Sequence, residues 1–476
     1  MPIRLGIDFG TATTCAAVVR DFSTLRVDTI ALDGLTDLSE TKVFLDAVHH
    51  NTELIHSRSI HNRHPLSTFA KASTDFDQYW SKRRLAYSDS LTRFQWNEAR
   101  RELGLLLSFF KPELSDVTRV REQRIAVRTH STYDPLAQSE NFTTYYDWRR
   151  IAEPDPDTDD LVAATAAILR QVVSTAVSAY GQPVESIVIG VPSDSAGDLS
   201  GARERAVRRR EEAIQLAGIN QGLATADCRL TFVSEAEAAG FGLRLDGLSQ
   251  GSPCHLIIVD VGAGTTDLAL VRMEPRGAVL RPQEVLLQDS VRQAGRNVNE
   301  ILAEYCTAVR EFRDARSAMD ERALQVYVDV VVEKLKREIG EDTREHRLRF
   351  DQIAAHYEGC DYDSAKRRAL LRTAYVDIGT KHPDLVALFE RRFTEWFGIL
   401  RRFLLRSTTL LRSEVARYPL SVAVVGGGAR CPLIHRAIER IASEESASIP
   451  VTFDDHQGDA QRVVARGLAR RAALMD

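Results

Sequence analysis

Short apolar runs alternate along this chain with longer segments in which apolar residues recur at helical spacing. The run at residues 3–7 ends on Asp8, and small residues and threonines separate it from a second apolar run at residues 15–19. This pattern predicts a strand, a tight turn built from glycine and threonine, and a returning strand. Residues 159–180 carry one apolar stripe and predict a long helix.

The same alternation continues to the end of the chain. The further elements that we predict are a strand at 186–192, a helix at about 200–216, strands at 256–260 and 268–273, a mainly helical region at about 295–415, a strand at 422–425, and helices at about 432–442 and 460–474. This order of strands and helices favours mostly parallel sheets with helices on their faces. In the helix predicted at about 200–216, the arginines at 208–210 precede Glu211 and Glu212, which predicts charge pairing within that helix.

Residues 40–155 show little periodicity and contain most of the tryptophan. Leucine and phenylalanine at helical spacing predict a helix over residues 96–110, and residues 124–129 are predicted to form a strand. We interpret this stretch as a subdomain inserted into the regular strand–helix order.

Composition narrows the class of protein. A chain of 476 residues is long enough for two or three domains, and 44% hydrophobic with 27% charged residues is typical of a globular chain. A net charge of −5 gives no reason to expect nucleic acid or an anionic membrane as the main partner. The six cysteines are scattered without a C-x-x-C pair, and neither a signal peptide nor a membrane span is recognisable, so we expect a reducing, cytoplasmic setting.

One sequence occurs twice at the end of a predicted buried strand. Residues 8–14 and 260–266 both read D-x-G-x-x-T-T, each between an apolar strand and a returning strand. Ordinary hairpin turns would explain a single copy, but two matched copies favour two homologous half-molecules that face each other. Neither a P-loop sequence nor the dinucleotide-binding G-x-G-x-x-G is present.

The residues of this repeated turn suit a polyphosphate ligand. Glycine allows the backbone N–H groups to approach an anion closely, and threonine hydroxyls add further hydrogen bonds. The carboxylates of Asp8 and Asp260 are able to hold water molecules of a Mg²⁺ ion, which keeps much of its hydration shell in proteins. Two such turns would enclose a polyphosphate from both sides, as phosphoryl transfer requires.

Five segments of the chain resemble the heat-shock 70-kDa (DnaK-type) family, within the superfamily that also contains actin and the sugar kinases. They occur in the order found in that family, at residues 6–13, 189–192 with 234–239, 260–267, 333–337 and 425–432. The resemblance implies a two-lobed, actin-like (ribonuclease H-like) ATPase fold of the α/β class, with duplicated mixed sheets flanked by helices. It places lobe I at residues 1–245, with an inserted subdomain at about 41–154, and lobe II at residues 246–476, with a helical insertion at about 295–417.

The resemblance also implies a role for each matching residue. Asp8 and Asp260 would hold Mg²⁺ through water, Glu235 would lie near the attacking water, and Thr265 would contact the γ-phosphate. The remaining residues implied to contact ATP or ADP are Gly10, Thr11, Ala12 and Thr13 of the first turn, Gly262, Ala263 and Gly264 of the second, Glu333 and Lys336 at the ribose, Gly426, Gly427 and Gly428 at the adenosine, and Arg337 and Arg430 stacked on the adenine.

The chain also departs from the family pattern. Ala12 replaces a second threonine, and Gly428 with Ala429 replaces a serine and a threonine, so hydroxyl contacts are lost and we expect slow hydrolysis. The family's catalytic lysine has no clear match, and Lys111 is the candidate for it. The chain ends at Asp476, soon after the last predicted helix, so we expect no peptide-gripping domain.

These features favour a Mg²⁺-dependent, ATP-hydrolysing conformational switch that a protein partner or co-chaperone reads. Two alternatives share the same fold. A small-molecule kinase would need a catalytic aspartate beside its acceptor hydroxyl, and none is identifiable. An actin-like filament would assemble with ATP.

Overall fold

Strands and helices alternate in the computed structural model much as the apolar pattern predicts. The structure describes residues 3–10, 13–21, 25–31, 38–40, 42–46, 86–87, 104–108, 124–134, 139–147, 158–193, 202–243, 252–276, 279–318, 332–340, 342–349, 373–412, 418–445, 449–453, 460 and 462–474.

The elements fall within these ranges. The strands are β1 Ile3–Phe9, β2 Thr13–Asp21, β3 Arg26–Thr29, β4 Leu38–Glu40, β5 Lys42–Asp46, β6 Ala86–Tyr87, β7 Gly104–Ser108, β8 Arg124–Asp134, β9 Ser139–Asp147, β10 Val184–Val191, β11 Ala224–Ser234, β12 Cys254–Val261, β13 Thr266–Arg276, β14 Val279–Val291, β15 Arg344–Arg349, β16 Thr373–Ile378, β17 Leu420–Val425 and β18 Val451–Phe453. The α-helices are α1 Thr158–Tyr180, α2 Ala202–Leu216, α3 Glu235–Gly242, α4 Gly295–Cys306, α5 Arg310–Ala318, α6 Glu333–Glu338, α7 Pro383–Arg392, α8 Thr394–Leu410, α9 Pro432–Glu445 and α10 Val463–Ala473.

Two mixed sheets with the same topology form the framework. In the first sheet the order is β11-β10-β1-β2-β3, with β4 also paired to β2, and in the second it is β14-β13-β12-β17-β18. Strands β1 and β12 occupy the same central place, because each has an antiparallel hairpin partner on one side and a parallel neighbour on the other. The two copies of the repeated turn therefore begin at equivalent strands, and the prediction of duplicated mixed sheets is confirmed.

Separate apolar layers cover these sheets. Helices α1 and α2 pack against one face of the first sheet, where Leu5, Ile7, Ile168 and Val172 are fully buried. Helices α4, α7, α8 and α9 contribute to the core against the second sheet, and Trp396 of α8 is its largest fully buried side chain. These apolar layers follow from the periodicity of the sequence, because each helix buries the stripe that its apolar residues form.

Helices α3 and α10 cross with almost no space between their backbones. A methyl group on Gly467 of α10 would lie 1.7 Å from the carbonyl oxygen of Ala238 in α3, and one on Gly242 would lie 1.8 Å from that of Val463. Helix α10 also packs on the first sheet, since a methyl group on Gly6 would lie 2.1 Å from the nitrogen of Ala469. Only glycine permits these approaches.

Two regions differ from the sequence predictions. The helix predicted over residues 96–110 is wrong at residues 104–108, which form β7 and pair with β5 and β8 in a sheet of order β6-β5-β7-β8-β9. The strand predicted at 124–129 is confirmed as part of β8. The region predicted to be mainly helical also contains the antiparallel pair β15 and β16. Both departures depend on pairing with distant residues, which a local pattern does not show.

Candidate functional site

The two predicted carboxylates lie at equivalent ends of β1 and β12. Asp8 pairs with Cys15 of the returning strand β2, and Asp260 pairs with Asp267 of the returning strand β13. Asp260 is only 6% exposed, whereas Asp8 is partly exposed. The structure thus places one carboxylate beside each turn. Gly10 and the backbone of Thr13 flank the first turn, and Thr11 and Ala12 lie outside the described residues.

The second turn is closed by its own backbone. The N–H of Gly262 donates to the carbonyl oxygen of Thr265 at 2.9 Å, so residues 262–265 form a compact loop between β12 and β13. The N–H of Gly295 donates to Gly262 O at 3.1 Å, and that of Arg296 donates to Ala263 O at 2.8 Å. The first residues of α4 are therefore fixed against this turn.

The glycine-rich segment predicted to bind adenosine packs directly on the same turn. Gly426 has φ +89°, and a methyl group there would lie 2.3 Å from Oδ1 of Asp260. A methyl group on Gly428 would lie 2.7 Å from Gly262 O. Glycine is required at both positions, because any side chain would collide with the backbone or the carboxylate of the second turn.

Lys336 reaches this cluster from α6. Its side chain is 9% exposed, and its Nζ donates to Gly295 O at 3.1 Å. Glu333 and Arg337 lie on the same short helix. Gly427 begins the 3₁₀ segment Gly427–Arg430, in which Arg430 is exposed. The structure thus brings Asp260, the second turn, Gly428 and Lys336 together, and the nucleotide contacts of these residues stay predictions.

Asp267 joins the second turn to the first sheet, a role that the sequence reasoning missed. Its carboxylate is 1% exposed; Oδ1 accepts from the N–H of Ser193 at 2.9 Å, and Oδ2 accepts from the hydroxyl of Thr265 at 3.0 Å. Ser193 follows β10 of the first sheet, and its hydroxyl lies 2.8 Å from that of Ser234. The signal available in the sequence was an aspartate that directly follows the two threonines of the second turn.

Glu235 begins α3 immediately after β11. It is 6% exposed and lies over Gly190 of β10, where a methyl group would be 3.0 Å from its Cγ. Ser234 accepts at its hydroxyl from the N–H of Glu237 at 3.4 Å and so caps the helix. The short helix fixes Glu235 at the carboxyl end of the parallel strands, which is where ligands bind in α/β sheets.

Arg210 of α2 is a buried cation, which the sequence reasoning took to pair with the adjacent glutamates. The predicted charge pairing holds for Arg208, whose Nε lies 3.9 Å from Glu212, but it is wrong for Arg210, which is only 1% exposed. The Arg210 guanidinium lies 5.8 Å from the centroid of the Phe9 ring. Burial lowers the pKa of Arg210 to about 10, against the opposing effects of Glu235 and then Asp8, so it keeps its charge at neutral pH.

The remaining predicted catalytic residue, Lys111, lies outside the described residues. Among the residues that the structure describes, no group of three or more histidine, cysteine, aspartate or glutamate side chains is arranged as a metal site. A Mg²⁺ ion bound with nucleotide needs only one or two carboxylates beside phosphate oxygens and water, so Asp8 and Asp260 fit such an ion.

The equivalent sheets, each with a carboxylate at the strand that enters a glycine turn, define an α/β protein of the actin-like ATPase class. A family model described as Hsp70 protein matches residues 159–475, about two thirds of the chain. The chain therefore belongs to the Hsp70 family. A search of the curated proteins gives no match to this sequence. No helix within the described ranges is both long and apolar enough to span a membrane.

Proposed function

We propose that this Hsp70-family chain binds ATP with Mg²⁺ between the two repeated turns, hydrolyses it slowly, and acts as a nucleotide-controlled switch. The observation that carries the proposal is the equivalence of β1 and β12, which places Asp8 and Asp260 at matching ends of two sheets with the same strand order. A polyphosphate enclosed by both turns would meet backbone N–H groups and one carboxylate from each half.

The second turn supports adenine nucleotide over other phosphates. Gly426 and Gly428 bring the predicted adenosine segment against Asp260 and Gly262, and Lys336 lies at the first residue of α4. In this proposal Lys336 and Glu333 hold the ribose, while Arg337 and Arg430 stack on the adenine. When bound, Mg²⁺ would neutralise phosphate charge, and Asp8 and Asp260 would orient its water molecules.

Residues of this chain would position the attacking water. Glu235 lies at the start of α3, after the Ser234 cap and at the carboxyl end of the parallel strands, and in this proposal its carboxylate orients a water molecule. Thr265 would turn its hydroxyl towards the γ-phosphate. At present that hydroxyl donates to Asp267, which also accepts from Ser193 of the first sheet.

This arrangement suggests how the switch is coupled. On loss of the γ-phosphate the Thr265 hydroxyl would change its hydrogen-bond partner and so reorient the Asp267 carboxylate. That movement would alter the hydrogen bond between Asp267 and the N–H of Ser193, which joins the two sheets. A protein partner would then bind according to the changed orientation of one sheet relative to the other.

Two variants test the site. Asp8→Asn and Thr265→Ala should each lower Mg²⁺-dependent ATP turnover by on the order of 10²-fold, because each removes a preorganised polar contact. Asp314→Asn is the control, since Asp314 is exposed on α5 and lies 3.9 Å from Arg310. Nucleotide affinity by calorimetry and phosphate release provide the readouts.

Unchanged affinity and turnover in both variants would show that the two turns do not bind nucleotide. A phosphorylated small molecule formed with substrate-stimulated ADP release would instead identify a kinase. ATP-dependent sedimentation of the chain would identify a filament.

A further inference from the structure

Gln293 lies between β14 and α4, in a stretch of chain that is bonded to both ends of the second turn. Its carbonyl oxygen accepts at 2.8 Å from the hydroxyl of Thr266, the last residue of the second D-x-G-x-x-T-T sequence. The N–H groups of Gly295 and Arg296 donate to the first residues of the turn. The second turn is therefore held along one side by residues 293–296.

The side chain of Gln293 joins this stretch to the junction of α7 and α8. Its Nε2 donates to the carbonyl oxygen of Arg392, the last residue of α7, at 3.1 Å, and its Oε1 accepts from the N–H of Trp396 in the first turn of α8 at 3.0 Å. The last carbonyl groups and the first N–H groups of a helix have no partner within it, so this amide satisfies one group of each helix. A carboxylate of the same shape would supply only acceptors.

Trp396 connects the same junction to the turn by a second route. Its side chain is fully buried, and its Nε1 donates to the hydroxyl oxygen of Thr266 at 3.1 Å. The indole ring makes edge-to-face contacts with Phe393 and Phe397, whose ring centroids lie 5.8 and 5.3 Å away. The position of the indole is thus set by the packing of the two helices, and Thr266 is bonded both to Trp396 and to Gln293.

The strand that leaves the turn is consequently attached on both faces. Successive side chains of a strand point to opposite faces, so Thr266 points to the helices while Asp267 points to the first sheet, where it accepts from the N–H of Ser193 at 2.9 Å. Thr265 immediately precedes them and carries the hydroxyl that is proposed to contact the γ-phosphate. The place of this hydroxyl depends on both attachments.

We propose that Gln293 and Trp396 are positioning residues of the ATPase, which hold the second turn against the α7–α8 junction and so place the Thr265 hydroxyl for the γ-phosphate. This inference rests on the proposed function. Both residues act through Thr266, and neither contacts nucleotide in that function. A displacement of about 1 Å at a catalytic group costs on the order of 10²-fold in rate, so the junction affects turnover from outside the nucleotide site.

Two substitutions each remove one of these hydrogen bonds with little change in shape. Gln293→Glu keeps the acceptor for the N–H of Trp396 but places a second acceptor against Arg392 O. Trp396→Phe keeps an aromatic ring in the core and removes the donor to Thr266.

Each variant has a matched control. Gln283→Glu adds the same charge as Gln293→Glu at an exposed position of β14. Phe403→Leu reduces a fully buried ring of α8 in the same core as Trp396. It should lower the stability of that core, as Trp396→Phe does, without removing a hydrogen bond from the turn.

Hydrogen exchange in the nucleotide-free chain measures whether the turn is held. Gln293→Glu and Trp396→Phe should each speed exchange at residues 262–266 by about 10-fold relative to the rest of the second sheet, the effect of one hydrogen bond at the upper end of the usual range. The two controls should show no such local increase. A rise at residues 262–266 no larger than in the controls overturns the proposal.

ATP turnover at saturating nucleotide tests the functional role. Both variants should lower kcat by about 10-fold, whereas their affinity for ADP, which lacks the γ-phosphate, should match that of the wild type. Phe403→Leu should keep the wild-type kcat at a temperature at which it is fully folded, so a loss of stability alone does not reproduce the effect. Wild-type kcat in Gln293→Glu and Trp396→Phe, or an equal loss in Phe403→Leu, refutes the positioning role.

If Trp396→Phe does not fold, Gln293→Glu with its control decides both experiments, because Gln293 is only partly buried. Failure of the proposed function is distinguishable. A wild-type chain without Mg²⁺-dependent ATP turnover refutes the ATPase, whereas the exchange experiment still determines whether Gln293 and Trp396 hold the turn.

Discussion

Replacing Gly467 by alanine tests the close crossing of α3 and α10. The added methyl group would lie 1.7 Å from Ala238 O, 2.6 Å from Ala238 C and 3.0 Å from Gly242 N. These are backbone atoms of another helix, which cannot rotate away as the end of a long side chain can. Restoring a separation of 3.0 Å from the oxygen requires the helices to move apart by roughly 1.3 Å.

The free energy of this change is the balance of two opposing terms. Alanine is favoured over glycine inside a helix by about 1 kcal/mol. Overpacking a well-packed core costs about 1–3 kcal/mol and occasionally more, and a rigid backbone obstacle places Gly467→Ala at the upper end. Leu468 and Ala469, which are fully buried beside Gly467, would also lose contacts as α10 moves. We expect a net loss of about 2 kcal/mol in the free energy of unfolding.

Urea unfolding followed by circular dichroism measures the effect. The matched control is Gly398→Ala on α8, where a methyl group would meet no atom within 4 Å. At Gly398 only the preference of alanine over glycine inside a helix applies, so we expect Gly398→Ala to raise the free energy of unfolding by about 0.5–1 kcal/mol. If the free energy of unfolding of Gly467→Ala equals that of the wild type, or rises as it does for Gly398→Ala, the close crossing of α3 and α10 does not require glycine at position 467.

Two further predictions concern buried polar groups. The buried Thr266 hydroxyl accepts from Nε1 of Trp396 at 3.1 Å and donates to Gln293 O at 2.8 Å. Thr266→Val should therefore lower the free energy of unfolding in urea by about 1–3 kcal/mol. The control is Thr408→Val at a partly exposed position of α8, and a loss for Thr266→Val no larger than for this control would contradict the prediction. Burial raises the pKa of the Cys306 thiol from 9.0 to about 12, so the folded chain holds this proton more tightly than the unfolded chain. The resulting contribution to the stability of the fold is present below pH 9 and is lost progressively as the pH rises above it. On raising the pH from about 9 to about 10.5, the free energy of unfolding of Cys306→Ala should therefore fall less than that of the wild type.

Long segments with one clear period were predictable from the sequence. The stripe of α1 and the continuous apolar run of β12 depend on local residues alone, and both elements form at the predicted places. The segment at β7 was not predictable in this way. Its three consecutive leucines fit either a buried strand or a helix, and the choice is made by pairing with β5 and β8, which lie far away in sequence.

The candidate site likewise contains residues that a local sequence pattern reveals and residues that it does not. Asp8 and Asp260 were found because the repeated turn carries its own signal of strand end, glycine and threonine. The burial of Arg210 was missed because adjacent Glu211 and Glu212 suggested charge pairing. A helical reading of α2 would have found it, since Ala206 and Ala213 are its fully buried neighbours at helical spacing.

The buried cations of the site explain why the repeat could not reveal its whole chemistry. Among the residues that the structure describes, Arg210 lies near the first turn, 5.8 Å from the centroid of the Phe9 ring, and Lys336 lies beside the second. The turns are equivalent by strand order, but the cations are not, because Arg210 comes from α2, which follows β10, and Lys336 from α6, between β14 and β17. A search for internal similarity therefore finds the carboxylates and glycines but misses these two cations. Neutralising Lys336 should consequently lower nucleotide affinity, and an unchanged affinity in calorimetry would contradict its place in the site.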